Sequence, residues 1–494
     1  MYLRFLIACA ISILLCACVS RLPHNLADAA TVPASLPAPV QDMMRLNQIP
    51  VDALAAIAIR LSDGATVMSH QPDKIMQPAS TMKMVTTIVG LERLGPTMRW
   101  RTELRTSAAI DNGVLQGDLI LRGGGDGNLT WEIFQRMLQS LRSKGIRDIR
   151  GDLVLDRQLF QPPRSDVGVP PFDEAPSAEY NVIPDALLIN TNLLKLEFEA
   201  DSQIVRVTMT PELERVTIEP QLSLTDGKCS DWDEDELQFD LKMKPEDGSI
   251  GIQLVGAFPR NCAHSIGANI LERDIFIDRL FRSLWSKLGG TFLGTTREGV
   301  MPADSKLLTS QRSRTLADVI RDINKPSDNA LSRLLYLSLG TTENRTDGNS
   351  FENAQKQVRS WFGKLGINVE GLVLENGSGL SRQERIRPSQ LAALLVAAYR
   401  SNWAPEFLSS LPIVGLDGTM RNRLRESPVA GRARMKTGTM NNVVAVAGYV
   451  PDASGQMHVL VVMLNHRPAD GKLLPLGRPV VDAIVDWLGR SGAK

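Results

Sequence analysis

Three short motifs in this chain carry residue types that together can perform acyl transfer. They occur in the order Ser80-Thr81-Met82-Lys83, Ser327-Asp328-Asn329 and Lys436-Thr437-Gly438. Each motif is common by chance when it occurs alone. Together they supply a nucleophile, a base, a proton relay and a cation that suits a carboxylate, which are the parts of a complete acyl-transfer site.

Ser80 and Lys83 are the predicted nucleophile and base. They stand three positions apart at the start of an apolar stretch that follows Pro78 and ends at Gly95-Pro96, so a helix would bring both to one face. A buried lysine can accept the serine proton when desolvation and a second cation disfavour its charged form, and Lys436 is the expected second cation. The alternative, a capping serine followed by a surface lysine, does not fit a helix this apolar.

The second motif precedes another apolar helical stretch. Alone, Ser327-Asp328-Asn329 would indicate an ordinary helix cap. Within the set, we expect Ser327 to pass a proton to the leaving amine and Asn329 to position Lys83 and the substrate amide. Asp328 is expected to serve the loop itself.

The third motif precedes a strong strand pattern, so we expect it at a sheet edge, where a peptide substrate can add as a strand. Gly438 allows the substrate to approach closely. The backbone N–H groups of Thr439 and Ser80 are candidates for an oxyanion hole. Lys436, with the hydroxyls of Thr437 and Thr439, suits a terminal carboxylate.

Length and composition are those of a multidomain globular protein. The chain has 494 residues, of which 43% are apolar and 22% charged, and its formal net charge is zero. The length favours two or three domains, and the charge gives no reason to expect a general binder of nucleic acid or anionic membranes. The sequence contains no G-x-S-x-G or H-E-x-x-H motif and its five histidines are scattered, so we predict no metal site and no cofactor.

The first residues predict export. Arg4 precedes an apolar run, Phe5 to Val19, that is too short to span a bilayer, and residues 1–20 are predicted to be a signal peptide. Cys18 is either the lipidated first residue of a lipoprotein or part of an ordinary signal that is cleaved near Ala27-Asp28-Ala29. The Pro- and Ala-rich residues 21–42 are predicted to be a tether.

Cys229 and Cys262 are the two of the five cysteines that lie outside the signal region. In an exported protein they most simply form a disulfide, with two unrelated buried thiols as the alternative.

The character of the sequence changes twice along the chain. Residues 43–100 begin with a β-hairpin pattern and continue into the helix after Ser80. Residues 101–265 hold a succession of short strand-like runs, and helical periodicity returns over residues 266–494 before a final hairpin and helix. We therefore predict an α/β catalytic domain, formed by residues 43–100 and 266–494, that is interrupted by a β-rich insertion of one or two small domains.

From about Met43 to Leu488 the chain resembles the class C low-molecular-mass penicillin-binding proteins, the serine D-alanyl-D-alanine carboxypeptidase/endopeptidase family. Ser327 follows Lys83 by 244 positions, a gap that suits the family's two extra domains, whereas β-lactamases keep it far shorter. Residues 376–382, N-G-S-G-L-S-R, are similar to the family's D-G-S-G-L-S-R string, with Asn376 in place of the aspartate. The resemblance implies the penicillin-binding, β-lactamase-like α/β fold.

The resemblance also implies roles for further residues. Asp156 matches a family aspartate that meets the amine of the stem peptide's third residue, and Arg382 and Met440 match residues that line the same side-chain pocket. The alternatives are a strand-end aspartate, a surface arginine and a packing methionine. Cys229 and Cys262 fall in a region where relatives have a disulfide.

These observations predict an exported, periplasmic serine DD-peptidase that acts on peptidoglycan stem peptides ending in D-Ala-D-Ala. Ser80 would be acylated, and the enzyme would release the terminal D-alanine, cleave cross-links, or do both. β-Lactams are expected to acylate Ser80 and to leave slowly. A β-lactamase is disfavoured by the long gap between the first two motifs. The remaining alternative is a penicillin-binding sensor or scaffold that is acylated without useful turnover.

Overall fold

The computed structural model describes residues 36–170, 172–341, 348–468 and 471–492. The predicted signal peptide, Cys18 and most of the predicted tether lie outside the described residues. A helix, Ala38–Leu46, begins inside the predicted tether, because Val40 and Met44 on one of its faces pack into an apolar core. In the part of the chain that the structure describes, no helix is both long and apolar enough to cross a bilayer.

The described residues form ten α-helices and twenty β-strands. The helices are α1 (Ala38–Leu46), α2 (Met82–Leu94), α3 (Trp131–Ser143), α4 (Arg273–Lys287), α5 (Leu316–Asn324), α6 (Asn329–Leu339), α7 (Ser350–Lys364), α8 (Pro388–Arg400), α9 (Ala404–Ser410) and α10 (Leu473–Arg490). The strands are β1 (Leu54–Arg60), β2 (Thr66–His70), β3 (Arg101–Thr106), β4 (Ile110–Asp111), β5 (Val114–Leu115), β6 (Leu119–Arg122), β7 (Asp148–Ile149), β8 (Leu153–Asp156), β9 (Leu194–Ala200), β10 (Val205–Thr210), β11 (Val216–Thr225), β12 (Gln238–Met243), β13 (Ile250–Pro259), β14 (Ala263–Ala268), β15 (Thr291–Phe292), β16 (Thr296–Glu298), β17 (Lys306–Arg312), β18 (Arg434–Met440), β19 (Val443–Pro451) and β20 (Met457–Asn465).

The two ends of the chain share one five-stranded sheet, in the order β18-β19-β20-β1-β2. All of its neighbours are antiparallel, and β1 pairs with β20 from Leu54 opposite Leu464. Side chains of β1 alternate between the two faces of the sheet: Ala55 and Ile57 contact the core that contains α2, whereas Leu54 and Ala56 contact the core under α1 and α10. The sheet is therefore covered by helices on both faces.

Helix α2 takes the first motif into the centre of this domain. Pro78 precedes a short 3-10 turn, Ala79–Thr81, that runs directly into α2. Residues 82–91 are all buried, and Gly95, with a φ of +80°, ends the helix. A helix that is buried on all sides must be enclosed by other elements, and α5, α6, α7 and α8 pack around it.

The insertion extends further along the chain than predicted. Its four sheets have the orders β16-β8-β6-β3-β17, β15-β7-β5-β4, β10-β9-β14 and β11-β13-β12. Three strands that follow residue 265 pair with strands that precede it: β15 with β7, β16 with β8 and β17 with β3. The predicted return to the first domain at residue 266 comes too early, since the pairing continues to Arg312. The helical period after residue 266 belongs to α4, whose apolar face packs in the insertion's own core.

The two chain crossings between the first domain and the insertion lie side by side. The backbone N–H of Trp100 donates to Oγ of Ser313 at 2.9 Å, and the N–H of Ser313 donates to the carbonyl oxygen of Trp100 at 3.0 Å. The indole N–H of Trp100 also donates to Oγ of Ser338 on α6, at 2.8 Å. These bonds fix the insertion to the helical layer at its point of entry.

A network of buried charges joins the loop after β8 to helix α4. Arg157 is 1% exposed and lies 2.6 Å from a carboxylate oxygen of Asp274 and 3.7 Å from one of Asp185. Arg273 approaches Asp185 to 2.8 Å, and Arg164 approaches Asp274 to 3.5 Å. Each arginine therefore faces a carboxylate, which compensates for the loss of water around both charges.

The predicted disulfide between Cys229 and Cys262 is present, with the two Cα atoms 5.5 Å apart. It links the turn after β11 to the turn between β13 and β14. An ordered covalent link of this kind is typical of proteins that fold in an oxidising compartment.

Helix α3 lies within the predicted β-rich stretch, and helix α8 lies within the stretch of predicted helical periodicity. In α3 the buried residues Phe134, Met137, Leu138 and Leu141 recur at helical spacing, and the hydroxyl of Thr130 caps the first turn. Helix α8 begins with Pro388, which is favoured in the first turn of a helix. The abundant Gly, Asp and Pro turns around α3 obscured its periodicity.

Candidate active site

The ammonium nitrogen of Lys83 lies at the centre of the site. It donates to Oγ of Ser80 at 3.0 Å, to Oδ1 of Asn329 at 2.6 Å and to the carbonyl oxygen of Ser378 at 2.6 Å. Lys83 is fully buried, whereas Ser80 is only half-buried. The structure thus brings the predicted nucleophile and base into hydrogen-bond contact, with Asn329 and Ser378 holding the base.

The backbone next to the serine is tightly constrained. Ala79 has a φ of +44°, which is unfavourable for a residue with a Cβ. The backbone at Gly379 passes so close that a Cβ there would lie 1.9 Å from the carbonyl oxygen of Ala79 and 2.8 Å from the backbone nitrogen of Ser80. Only glycine fits at position 379, and this contact holds Ser80 against the neighbouring loop.

Ser327 and Lys436 form a second contact pair. Nζ of Lys436 donates to Oγ of Ser327 at 2.8 Å and to the carbonyl oxygen of Thr437 at 2.9 Å. Ser327 adopts a left-handed backbone conformation with a φ of +72°, a strained geometry that is common at functional sites. The next residue, Asp328, caps α6 by accepting the N–H of Leu331 at 2.8 Å. The strained turn therefore presents the Ser327 hydroxyl while Asp328 serves the start of the helix.

Strand β18 is the edge strand of the central sheet, beside the nucleophile. It pairs with β19 on one side, and near its start the N–H of Met435 donates to the carbonyl oxygen of Pro412 at 2.9 Å. A Cβ on Gly438 would lie 2.7 Å from the carbonyl oxygen of Pro78 and 3.1 Å from the nitrogen of Ser80. A side chain at position 438 would therefore collide with the backbone that carries the serine.

Burial changes the proton affinity of both lysines. Desolvation lowers the pKa of Lys83 to about 7 against the opposing charges of Asp328 and Glu384, and the charge of Arg333 adds to the lowering. Desolvation and the charge of Lys83 hold the pKa of Lys436 well below its usual value. Near neutral pH, Lys83 can therefore exist as a neutral amine, which is the form that accepts a proton.

A second cation besides Lys436 acts on the base. The ammonium groups of Lys83 and Lys436 repel each other, as the sequence analysis expects. Arg333 on α6 is a further like charge that lowers the pKa of Lys83. Arg333 is 8% exposed and donates to the carbonyl oxygen of Val182 at 3.2 Å. Arg333 lies inside an apolar helical stretch, and nothing in the sequence indicated that its charge would act on Lys83.

Comparison with known proteins places this geometry in a family. The family model described as D-Ala-D-Ala carboxypeptidase 3 (S13) matches residues 36–485. This chain belongs to that family.

Two bacterial carboxypeptidases and one solved structure are similar to this chain over most of their own length. A D-alanyl-D-alanine carboxypeptidase of Actinomadura sp. (strain R39) is 27% identical over 428 residues, which cover 83% of this chain and 77% of the relative. D-alanyl-D-alanine carboxypeptidase DacB of Haemophilus influenzae is 25% identical over 415 residues, which cover 83% and 84%. The crystal structure of penicillin-binding protein 4 from Haemophilus influenzae superposes with a TM-score of 0.74 at 23% identity and covers 91% of this chain and 99% of that one.

These similarities confirm the predicted family and the predicted enzyme class, a D-Ala-D-Ala carboxypeptidase. The superposition confirms the predicted fold class, a penicillin-binding α/β domain with additional inserted domains. The S13 family thus supplies the reaction class, and the residue contacts of this chain show how its own site is arranged.

Residues predicted to bind substrate along β18 differ in exposure. Thr439 is exposed at the open edge, whereas Thr437 is buried and its hydroxyl donates to Oγ1 of Thr419 at 2.7 Å. Met440, at the end of the strand, is half-buried, and its sulfur lies 3.8 Å from Nε2 of Gln77. The edge therefore presents the exposed hydroxyl of Thr439 and the hydroxyl of Thr437, which is already bonded to Thr419.

The two remaining pocket residues have different surroundings. Arg382 is exposed, and its guanidinium carbon lies 4.9 Å from the centre of the Phe172 ring. Asp156 is 5% exposed at the end of β8, where one carboxylate oxygen accepts the N–H of Gln158 at 2.9 Å and the other that of Met301 at 3.0 Å. Both oxygens of Asp156 are thus engaged by the backbone of the insertion.

Sequence reasoning missed three groups at the site. The carbonyl oxygen of Ser378 accepts from Lys83, and that of Tyr180 accepts from Nδ2 of Asn329 at 3.0 Å. Every residue has a carbonyl oxygen, so no residue type marks these positions. The third missed group is the buried carboxylate of Glu384. It stands among the charged and polar residues 381–387, S-R-Q-E-R-I-R, so nothing in the sequence marked it as buried.

Proposed function

We propose that this chain is an exported serine DD-peptidase that acts on peptidoglycan stem peptides through a Ser80 acyl-enzyme. The observation that carries the proposal is the buried Lys83, which bonds at once to Ser80, Asn329 and the carbonyl oxygen of Ser378. Release of the terminal D-alanine is the primary activity. Cleavage of peptide cross-links is a second activity of the same site, because both reactions break a bond on the carboxyl side of a D-alanine.

Lys83 is oriented to act as the base. A neutral lysine amine has two N–H groups and one lone pair. The oxygens of Asn329 and Ser378 only accept hydrogen bonds, so they take the two N–H groups and leave the lone pair facing the Ser80 hydroxyl. Ser80 Oγ then attacks the carbonyl carbon of the penultimate D-alanine while its proton moves to Lys83.

The remaining groups act on the intermediate and on the leaving group. The N–H groups of Ser80 and Thr439 stabilise the oxyanion, which the close approach of β18 to the serine backbone supports. The bond to the leaving amine breaks as Ser327 donates its hydroxyl proton to that nitrogen and takes a replacement proton from Lys436. The proton that Lys83 removed from Ser80 then restores Lys436, so the proton taken from Ser80 is passed on in exchange for the one given to the leaving amine. Water then attacks the acyl-enzyme and releases the shortened peptide.

Lys436 is the cation for the terminal carboxylate of the substrate. Its side chain is fully buried and has only neutral hydrogen-bond partners among the described residues, Ser327 and Thr437. A substrate carboxylate would supply the missing negative charge and raise the pKa of Lys436 again. The hydroxyls of Thr437 and Thr439 complete this end of the site. A β-lactam carries a comparable carboxylate, and we expect it to acylate Ser80 and to leave slowly.

Asp156, Arg382 and Met440 form the proposed pocket for the side chain of the third stem-peptide residue. Each carboxylate oxygen of Asp156 accepts one backbone hydrogen bond and keeps a further lone pair that can accept from the substrate amine. The test compares kcat/KM for one peptide with a side-chain amine at that residue and one without it. A loss in Asp156→Asn confined to the amine-bearing peptide supports the pocket, and an equal loss on both peptides leaves Asp156 as a turn cap.

The proposed site of action is the periplasm. The disulfide between Cys229 and Cys262 supports an oxidising compartment. The signal peptide and the alternative of a lipid anchor at Cys18 concern residues outside the described ones. Mass determination of the N-terminal peptide from the native host distinguishes a lipidated Cys18 from cleavage near residues 27–29.

The decisive experiment is chromatography with mass detection of purified monomeric pentapeptide muropeptides and cross-linked dimers. The wild-type protein is compared with Ser80→Ala and with a control, Ser107→Ala, that alters an exposed serine of the insertion. Loss of one alanine or splitting of dimers by the wild type and the control, but not by Ser80→Ala, supports the proposal. A single burst of product followed by no turnover would favour a penicillin-binding sensor, and intact substrates in every sample would overturn the hydrolase.

A further inference from the structure

Glu384 is a buried carboxylate that the reaction described above does not use. Its side chain is fully buried in the loop before α8. One oxygen accepts the backbone N–H groups of Glu375 at 3.2 Å, Asn376 at 3.1 Å and Gly377 at 2.8 Å, and the other accepts that of Gly379 at 2.8 Å. Four backbone donors thus converge on one side chain, and residues 375–379 wrap around it.

The 375–379 loop is the same segment that holds the base. The carbonyl oxygen of Ser378 accepts from Lys83, and the carbonyl oxygen of Gly377 accepts from the hydroxyls of Thr86 at 2.6 Å and Ser332 at 2.9 Å. Gly379 presses on the backbone just before the nucleophile. The loop therefore contacts the helix of Lys83, the helix of Asn329 and the backbone next to Ser80.

The family resemblance explains why this carboxylate is unexpected. The string D-G-S-G-L-S-R opens with an aspartate, but this chain has Asn376 there. Oδ1 of Asn376 accepts the N–H of Ser378 at 3.0 Å and its hydroxyl at 2.8 Å, so a neutral amide already caps the turn. Glu375, the residue before Asn376, accepts from the hydroxyl of Ser381. The carboxylate on the inner side of the loop is that of Glu384, eight positions after Asn376.

The charge of Glu384 also acts on the base. Burial raises the pKa of Glu384, while the backbone N–H groups of Gly377, Glu375, Gly379 and Asn376 stabilise its ionised form. Its negative charge raises the pKa of Lys83 and opposes the effect of desolvation. Glu384 is therefore linked to Lys83 by geometry, through Ser378, and by charge.

We propose that Glu384 is a positioning residue for acylation, whose buried carboxylate holds the 375–379 loop so that Ser378 orients Lys83 toward Ser80. This inference rests on the proposed roles of Ser80 and Lys83. The exchange of Glu384 for glutamine keeps the size of the side chain but turns one acceptor into an N–H donor that faces backbone N–H groups. The loop then loses at least one of its four anchors.

The test measures the second-order rate of acylation by a fluorescent penicillin over a range of pH. In Glu384→Gln we expect the rate to fall about tenfold to a hundredfold, as misplacement of a catalytic group does. The pH midpoint should also move downward, because a negative charge that favours the protonated base is gone. The control is Glu370→Gln, an exposed carboxylate of the same region, which should keep the wild-type rate and midpoint.

Two further variants separate position from charge. Asn376→Asp in the Glu384→Gln background returns a carboxylate to the first position of the string and should move the midpoint back toward that of the wild type. Glu384→Asp keeps the charge but shortens the side chain, so the midpoint should stay near the wild-type value while the rate falls. If Glu384→Gln does not fold, Glu384→Asp decides the matter by the same two readings.

A folded Glu384→Gln protein with the wild-type rate and midpoint would overturn this inference. The proposed function would survive that result, because wild-type acylation at Ser80, located by mass spectrometry, tests it separately. Absence of acylation in the wild-type protein would instead overturn the proposed function.

Discussion

Two groups of buried charges in this molecule have opposite surroundings. At the active site, Lys83 and Lys436 are fully buried, and among the described residues neither forms an ion pair. In the insertion, Arg157 and Arg273 are also buried, but each lies within ion-pair distance of Asp185. The first group is solvated by hydroxyl, amide and carbonyl groups, and the second by carboxylates.

The difference separates charges that can change from charges that are fixed. A buried lysine without a counter-ion has a lowered pKa and can give up its proton, whereas arginine stays charged under all ordinary conditions. For Asp166 in the insertion network, burial acts to raise the pKa, but the hydrogen bond from Arg164 and the charge of Arg273 outweigh it and hold the pKa below its usual value. The active site can therefore transfer protons, while the network in the insertion only binds segments together.

The largest expected effect comes from removing the base. Lys83→Met should lower the rate of acylation by labelled penicillin about 10²- to 10⁴-fold, because the proton of Ser80 loses its acceptor. Its effect on stability should be small, since a desolvated amine without an ion pair is replaced by an apolar side chain of similar length. Acylation kinetics and urea unfolding of the same preparation check both parts. Wild-type acylation in this variant would show that another group is the base.

The reverse outcome is expected for the insertion. Arg157→Met should lower the free energy of unfolding by about 3 kcal/mol, because the fully buried Asp185 keeps, among the described residues, only Arg273 as an ion-pair partner and Asp274 loses its 2.6 Å contact. The folded fraction should be acylated at the wild-type rate. Arg297→Met, which removes an exposed arginine that bonds to Asp118 and Asp152, is the matched control and should cost far less. Equal losses in the two variants would remove the distinction between buried and exposed pairs.

The disulfide should matter to stability alone. We expect the double variant Cys229→Ser/Cys262→Ser to unfold more readily, by about 2–4 kcal/mol, because the unfolded chain gains conformational freedom. Penicillin acylation should not change, since the bridge lies within the insertion. A thermal melt followed by an acylation assay at low temperature checks this. Slower acylation of the folded variant would instead show that the insertion's outer sheets communicate with the site.

The smallest effect should be a shift along the pH axis. Acylation requires neutral Lys83, so its rate should rise with pH, reach half of its maximum near the Lys83 pKa of about 7 and level off above it. Arg333→Met removes a positive charge that disfavours the protonated form of Lys83. The pKa of Lys83 should therefore rise, and the pH midpoint should move upward. Rates measured across the pH range at constant ionic strength show the shift. An unchanged midpoint would mean that the charge of Arg333 does not influence this pKa.

The local part of the site could be predicted from the sequence. Ser80 and Lys83 are three positions apart in one apolar helix, so helical geometry alone brings them together. The contact of Lys83 with Asn329 and that of Lys436 with Ser327 could be expected only from the ordered set of motifs, which linked segments far apart in the chain. The carbonyl oxygens of Ser378 and Tyr180 gave no signal, because their role comes from the backbone path and not from a residue type.

The fold could be predicted where an element depends on local periodicity, but the prediction failed where an element depends on pairing with a distant segment. The hairpin of β1 and β2 and the apolar helix α2 follow from patterns within a few residues. The end of the insertion does not, because β17 is recognised as part of it only by its pairing with β3. The helical pattern of α4 led to the wrong boundary at residue 266, because that pattern is the same whichever core the helix packs against.

The sheet that carries the active site joins the two ends of the chain, and this has a consequence for the order of synthesis. Leu54 of β1 pairs with Leu464 of β20, so the ribosome makes Ser80, Lys83 and the entire insertion before β1 has a neighbour on that side. The insertion, whose entry and exit meet at Trp100 and Ser313, can fold as a nested unit without β18, β19 and β20. A product of translation that stops between the insertion and β18 carries the nucleophile but neither Lys436 nor the edge strand. Such chains are therefore inactive, and activity requires segments that are made after the insertion.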